Sequence, residues 1–412
     1  MTTTQQTQRP TSAELDAADP LAAQREAFYT PDAGQLTSYL DGNSLGRPLK
    51  ATSASLQSFV EDAWGSRLIR GWDEQWMDEP TRVGDRIGQV TLGAAAGQVT
   101  VGDSTSVMLY KLIRAAVDAR PGRDEIIIDR DNFPTDRFII EGIAKERGAT
   151  IKWIAPNPAS GVRAADLEGL LGERTAVVVL SHVAYRSGFL ADAKAITAQA
   201  HQAGALMLWD LCHSVGSVPL ELDAWDVDLA VGCTYKYLNG GPGSPAFAYV
   251  NAACQDLLQQ PIWGWMGADN PFGMTEAYQP AQGIRRFITG TPPVLAMQPL
   301  KDMVELIATV GMDAVREKSI KLTEYAIELA DELLAPLGAD IVSPRDAADR
   351  GSHITVDHPL FADVTAKLWE RGVIPDFRPP HGLRIGLSPL STSFAEVELG
   401  VLAIRDVLAE LQ

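Results

Sequence analysis

Two side chains suited to an electron-sink cofactor follow neighbouring predicted strands. The run ALMLWD ends at Asp210, and the run DLAVGC is followed by Tyr235 and Lys236. Ligands of an open α/β sheet bind outside the carboxyl ends of its strands, so we expect these side chains to share one crevice. A lysine amine can form a Schiff base, and a carboxylate can keep a pyridine nitrogen protonated. These residue types favour pyridoxal 5'-phosphate (PLP) as the cofactor.

A phosphate site is the third requirement of that cofactor. In GDSTSVMLYKL, Thr105 and Ser106 stand at the start of a stretch with helical period. The first N–H groups of a helix and its dipole favour a bound anion. Each feature alone has an ordinary explanation, because Asp210 resembles a helix cap, Lys236 a solvated loop residue and His213 a packed histidine. Their joint order favours a cofactor site.

Composition excludes several classes of function. The 412 residues are 46% hydrophobic and 21% charged, which is ordinary for a folded protein. The formal net charge of −18 would repel nucleic acid and anionic membranes, so we expect neither as a partner. No apolar stretch approaches the about 20 residues of a membrane span, and the N-terminus lacks a signal peptide's apolar centre. We therefore expect a cytoplasmic protein.

The three cysteines, Cys212, Cys233 and Cys254, show neither disulfide-framework nor metal-site spacing. We expect buried packing residues and no bound metal. A nucleophilic Cys212 beside His213 is the less favoured alternative.

Periodicity predicts the elements that position the site. Residues 1–20 are polar and are expected to form a flexible arm. From about 105 to 250, short apolar runs alternate with stretches of helical period, which predicts a mostly parallel sheet covered on both faces. The runs are EIIID (125–129), IKWIA (151–155), AVVVL (176–180), ALMLWD (205–210), DLAVGC (228–233) and PAFAYV (245–250). We therefore predict an α/β large domain over 21–300, then a linking helix and a small α+β domain over 301–412.

The motifs along the chain resemble those of kynureninases, in the same order, over about residues 39–390. They are YLDGNSLG (39–46), DSTSV (103–107), NFPTD (132–136), WDLCHS (209–214) and GCTYKYLNGGPG (232–243). The resemblance implies the fold type I PLP-dependent transferase-like architecture, with a seven-stranded sheet in the large domain. It also implies a homodimer with shared active sites.

The resemblance implies a role for each matching residue. Lys236 matches the Schiff-base lysine, and Arg384 in GLRIGLSPL matches the arginine that binds the substrate's α-carboxylate. Trp265 and Thr291 match positions that reach the phosphate from the partner subunit. The other matching cofactor contacts are Thr105, Ser106, Phe133, Asp136, Ser181, Asp210, His213 and Tyr235, and the matching substrate-pocket residues are Asn43, Ser44 and Trp64.

The implied activity is hydrolytic Cβ–Cγ cleavage of L-kynurenine to anthranilate and L-alanine. Lys236 would move the Cα proton, Tyr235 would relay a proton, and Asp210 would hold the cofactor ring. Kynureninases also act on 3-hydroxykynurenine. Gly290 and Thr291, together with Trp64, resemble the bacterial type that prefers kynurenine.

One residue departs from the kynureninase pattern, and alternative functions remain open. Ala268 in GWMGADNPFGM stands where kynureninases frequently have histidine, which bears on substrate choice or rate. Another fold type I enzyme, such as a cysteine desulfurase or a class V aminotransferase, would share Asp210, His213 and Lys236. A catalytically altered kynureninase-like protein is the third alternative. A mobile cysteine, which desulfurases need, is missing from the C-terminal third of the sequence.

Overall fold

The structure is a computed structural model and describes residues 9–31 and 34–412. Its helices are α1 (Ser12–Ala17), α2 (Lys50–Ser58), α3 (Glu79–Ile87), α4 (Thr105–Asp118), α5 (Pro134–Arg147), α6 (Ala193–Gln202), α7 (Gln298–Val310), α8 (Met312–Leu333), α9 (Phe361–Glu370) and α10 (Phe394–Leu411). Its strands are β1 (Ser38–Tyr39), β2 (Val99–Gly102), β3 (Glu125–Asp129), β4 (Thr150–Ile154), β5 (Thr175–Ser181), β6 (Leu206–Asp210), β7 (Leu229–Gly232), β8 (Ala246–Val250), β9 (Asp340–Ile341), β10 (His353–Asp357), β11 (Val373–Ile374), β12 (Asp376–Arg378) and β13 (Gly382–Gly386). None of the helices within these ranges has the length and apolarity that a bilayer crossing requires.

A seven-stranded sheet forms the centre of the large domain, in the order β2-β8-β7-β6-β5-β3-β4. Its neighbours pair in parallel except where β8 lies antiparallel to β2 and to β7. The predicted mostly parallel sheet is therefore confirmed, and all six predicted runs form strands in it. Sequence did not predict β2, because the four residues VTVG are too short to show a period.

Alternate residues of the central strands enter two separate cores. Val177 and Val179 of β5 pack in the core that contains α4 and α5. Val178 and Leu180 pack in the opposite core, with α6 and α7. Burial of both faces explains why the strand sequences are continuously apolar rather than alternating. The helices on both faces leave the carboxyl ends of the strands as the place for a ligand.

The small domain contains a four-stranded antiparallel sheet in the order β12-β13-β10-β9, packed on α8, α9 and α10. The change between the two cores falls inside α8, since Val315 packs in the large core and Leu322 in the small one. The predicted division at residues 300 and 301 therefore does not coincide with the change of core. The predicted linking helix is interrupted as well, because Gly311 adopts a positive φ of 87° between α7 and α8.

The N-terminal segment packs on the small domain. Helix α1 has a capping box at Thr11, and both carboxylate oxygens of Asp16 accept the first N–H groups of α10 at 3.0 Å. The expectation of a flexible arm over 1–20 is therefore wrong for residues 12–17, because these contacts to α10 are invisible in a local composition. Residues 1–8 of that expectation lie outside the described residues.

Candidate active site

A cavity lies at the carboxyl ends of β5, β6 and β7, between these strands and the start of α4. Its lining residues are Thr105, Ser106, Phe133, Thr135, Asp136, Ser181, Tyr185, Asp210, Cys212, His213, Tyr235 and Lys236. The structure thus brings together all the predicted cofactor residues except Trp265 and Thr291. Neighbouring parallel strands deliver them, because Ser181 pairs directly with Asp210.

The amine of Lys236 lies 3.1 Å from Nε2 of His213. Burial, and then the charge of Lys236, lowers the pKa of His213 well below its usual range, so this imidazole is neutral. A neutral ring with its proton on Nδ1 can accept a hydrogen bond from the lysine amine. The loop of Lys236 is fixed by the N–H of Gly46, which donates to the carbonyl of Tyr235 at 2.8 Å.

Two buried carboxyl groups face each other beside the lysine. Asp210 ends β6 and accepts the N–H of Cys212 at 2.7 Å, while Asp136 lies in the first turn of α5. Burial, and then the neighbouring Asp210, raises the pKa of Asp136 well above its usual range, so the pair holds a proton. Oδ2 of Asp136 is buried without a hydrogen-bond partner in the described chain. A buried carboxyl oxygen without a partner is a position where a polar group of a bound ligand can form a hydrogen bond.

The first turn of α4 offers an anion site. The helix has 14 residues, and Ser104 caps it by accepting the N–H of Val107. Thr105 and Ser106 line the cavity at the helix end whose first N–H groups have no partner within the helix. Nearby, the buried amine of Lys111 donates to Asp103 and to Thr289, at 2.9 Å each. This helix start therefore faces the cavity with the kind of groups that favour a bound anion.

Phe133 and Tyr185 form the aromatic wall of the cavity. Their rings make an edge-to-face contact, with centroids 5.5 Å apart and an interplanar angle of 82°. Sequence reasoning missed Tyr185 and Thr135. Thr135 lies within the NFPTD motif, and Tyr185 follows four residues after Ser181 in SHVAYRSG, so proximity to known motif residues was the available signal.

Arg384 is buried next to the cavity, where it contacts the backbone of the lining residue Tyr185. Its Nε donates to Asp376 at 2.6 Å, Nη1 donates to the carbonyl of Tyr185 at 2.7 Å, and Nη2 donates to Ser44 at 3.0 Å. Asn43 is fully buried beside Gly386, and its amide nitrogen and oxygen have no partner in the described residues. Arg384, Ser44 and Asn43 are thus close together, and Asp376 is a member of this group that sequence reasoning missed.

Trp64, Trp265 and Thr291 lie outside the cavity of the single chain. Trp64 is 51% exposed on the π-helical segment Phe59–Gly65, and Trp265 is 41% exposed with its ring against Phe272. Ala268 follows in the same segment, and its carbonyl accepts from Nη2 of Arg285 at 3.2 Å. The substrate-binding role of Trp64 and the phosphate-binding roles of Trp265 and Thr291 remain predictions.

All three cysteines are buried and free, as expected from the sequence. A hydrogen bond with Cys233, followed by burial, raises the pKa of Cys212 well above its usual range. A nucleophilic cysteine requires a lowered pKa, so Cys212 is a packing residue.

Comparison with solved structures relates the fold to PLP enzymes. An apo cysteine desulfurase from Thermococcus onnurineus NA1 has a TM-score of 0.79 at 16% identity, over 90% of this chain and 95% of that one. A C-DES mutant with glycine covalently linked to its PLP cofactor has a TM-score of 0.78 at 18% identity, over 92% and 100%. The TM-scores show a shared fold, fold type I, although the sequence identities are low. The predicted fold class is confirmed.

Sequence comparison is more specific. A family model described as the kynureninase C-terminal domain matches residues 315–404. A kynureninase from Pseudomonas fluorescens is 40% identical over 401 residues, which are 96% of this chain and 94% of that protein. One from Burkholderia pseudomallei (strain 1106a) is 42% identical over the same shares. With a cavity built from the motif residues and full-length relatives of this similarity, the chain belongs to the kynureninase family.

Proposed function

We propose that the protein uses PLP and water to cleave the Cβ–Cγ bond of L-kynurenine, giving anthranilate and L-alanine. One observation carries this proposal. Lys236, the neutral His213 and the buried carboxyl pair share one cavity, in a chain with kynureninase relatives of 40 and 42% identity. All three cysteines are buried, whereas a desulfurase needs a mobile cysteine, which argues against the desulfurase alternative.

Five residues fit the cofactor by their chemistry. Lys236 would hold it covalently, Asp210 its ring nitrogen, Thr105 and Ser106 its phosphate, and Phe133 the face of its ring. When bound, PLP supplies an electron sink for the charge that develops on the substrate carbons. The unpartnered buried oxygen of the neighbouring carboxyl and the helix start support this fit.

The protein's own groups would manage the protons. The Nζ atom of Lys236, once free, would take the Cα proton, and His213 would hold that amine in place at 3.1 Å. Burial raises the pKa of Tyr235 far above its usual range, so its phenol stays protonated. A protonated phenol that lines the cavity could pass its proton to the substrate and recover one from Lys236, so that it acts as a relay and not as a net source of protons. Tyr235 is therefore the candidate proton relay.

The substrate's amino-acid end would bind near Arg384, next to Ser44 and Asn43. A planar guanidinium suits a carboxylate because the two groups match in geometry. The unpaired amide of buried Asn43 provides a donor and an acceptor for a polar ligand.

The homodimer with shared sites is also a proposal. Trp64 and Trp265 are large apolar side chains that are half exposed in the single chain, and Thr291 is exposed. Large apolar exposure is common at subunit interfaces, which supports a second chain at this surface. The cytoplasmic location stays a prediction from sequence.

Turnover with L-kynurenine tests the proposed reaction. The purified protein, supplied with PLP, should form anthranilate and L-alanine in equal amounts, measured by fluorescence and by amino-acid analysis. Sulfur release from L-cysteine without anthranilate formation would instead identify the desulfurase alternative. Cofactor binding with neither activity would indicate a catalytically altered member of the family.

A further inference from the structure

The sheet of the small domain presents a polar face to the active site. Phe377, Leu383 and Ile385 pack into the core of the small domain. Side chains alternate along a strand, so their neighbours Asp376, Arg378, Gly382, Arg384 and, on β10, Thr355 lie on the opposite face. That face meets the large domain, because Nη1 of Arg384 donates to the carbonyl of Tyr185 at 2.7 Å.

Most hydrogen-bonding capacity of Arg384 is already used. A guanidinium has five N–H groups. In the structure Nε donates to Asp376, Nη1 to the Tyr185 carbonyl and Nη2 to Ser44, and Nη2 also forms an ion pair with Asp376. Three of the five N–H groups are therefore engaged, which leaves room for a second ligand of the carboxylate beside Arg384. The charge of Arg384 is also balanced by its ion pair with Asp376.

Arg378 lies beside this pair with more capacity. Its Nε donates to the same Oδ2 atom of Asp376, at 2.8 Å. Within residues 9–31 and 34–412, its two terminal nitrogens make no hydrogen bond, and one third of the side chain is exposed. Gly382 stands opposite Arg378 in the register, so no side chain covers it from that strand. Asp376 thus holds two guanidiniums. The buried carboxyl of Asp41 belongs to the same group of charges: burial raises its pKa to about 6, and Arg384 and Arg378 act to lower it.

The position of Arg378 is also electrostatically close to the reacting groups. Several causes lower the pKa of His213. Burial is the largest, the charges of Lys236, His353 and Arg384 follow, and the charge of Arg378 comes after these. Contacts give the same location: Asp376 binds both Arg378 and Arg384, and Arg384 donates to the carbonyl of Tyr185, which lines the cavity.

We propose that Arg378 is a second ligand of the substrate's α-carboxylate, held beside Arg384 by Asp376. The inference rests on the proposed function, since L-kynurenine and L-alanine both carry that group. Arg378 supplies two terminal nitrogens that are not used in other hydrogen bonds of the described residues, while Arg384 supplies its remaining N–H groups and fixes the direction of approach. The chemistry recognised is an amino acid with a free carboxylate.

Binding measurements separate this role from a purely structural one. We would compare Arg378→Gln with wild type in the affinity of the PLP-loaded protein for L-alanine and for L-alaninamide, which lacks the carboxylate charge. Loss of a charge-assisted contact should weaken L-alanine binding about tenfold or more and leave L-alaninamide within about twofold. The KM for L-kynurenine should rise by a similar factor, with kcat within about threefold.

Arg371→Gln is the matched control, because Arg371 is an exposed arginine of the same domain that pairs with Glu410. It should leave both affinities unchanged. Equal weakening of both ligands by Arg378→Gln, or no weakening, would overturn the proposal. If that variant does not fold, Arg378→Lys decides by the same comparison, since one ammonium cannot reproduce two prongs. Anthranilate formation by wild type tests the proposed reaction separately, so the two failures are distinguishable.

Discussion

Asp210→Asn is expected to slow turnover strongly while leaving the fold intact. The asparagine keeps a carbonyl oxygen that can accept the N–H of Cys212, the bond that Asp210 makes at 2.7 Å. It also removes a negative charge from beside the buried carboxyl of Asp136. Thermal unfolding should therefore shift by no more than a few degrees, which corresponds to about 1 kcal/mol or less.

The loss in rate follows from the charge that is removed. Hydrogen bonds to charged groups contribute about 1.5–3 kcal/mol, and about 1.4 kcal/mol is a factor of ten, so kcat should fall roughly 10- to 150-fold. The lower end is favoured if Asp136 takes over. Asp210 is one cause of the raised pKa of Asp136, so its removal lowers that pKa and allows Asp136 to ionise in its place.

The double variant Asp136→Asn, Asp210→Asn removes this substitute, and its kcat should fall further than that of either single variant. The assay is anthranilate fluorescence under saturating L-kynurenine, with PLP affinity followed by absorbance. Asp124→Asn is the control, because Asp124 is an exposed carboxylate paired with Arg174. A kcat for Asp210→Asn within twofold of wild type, with a normal double variant, would refute the assigned role.

Three further predictions concern the cofactor and the substrate. Lys236→Ala should abolish turnover and leave no cofactor attached to the protein after borohydride reduction, as read by mass spectrometry; normal cleavage would contradict the mechanism. Arg384→Lys should mainly raise KM, because one ammonium cannot replace the contacts of a guanidinium, and a lower kcat at unchanged KM would contradict this. L-kynurenine should have a higher kcat/KM than 3-hydroxykynurenine, because Gly290 and Thr291 resemble the bacterial type that prefers kynurenine and the bulky indole of Trp64 would leave little room for an added hydroxyl; equal or reversed values would remove that preference.

The sequence by itself determined the sheet and the cofactor side of the cavity. Continuous apolar runs identify strands buried on both faces, and the carboxyl ends of parallel strands meet at one edge. Asp210, Tyr235 and Lys236 were therefore placed together from their positions after consecutive strands, and the structure has them lining one cavity. The start of a stretch with helical period identified Thr105, and the resemblance to kynureninase motifs identified Phe133.

Tertiary structure alone decided the substrate side and the domain boundary. Asp376 and Arg378 meet Arg384 through the antiparallel register of β12 and β13, and Tyr185 meets Arg384 through the docking of the two domains. The register and the docking depend on packing between segments far apart in the chain, whereas periodicity reports only on neighbours along it. Helix α1 is ordered for the same reason, since its partner α10 lies at the opposite end of the sequence.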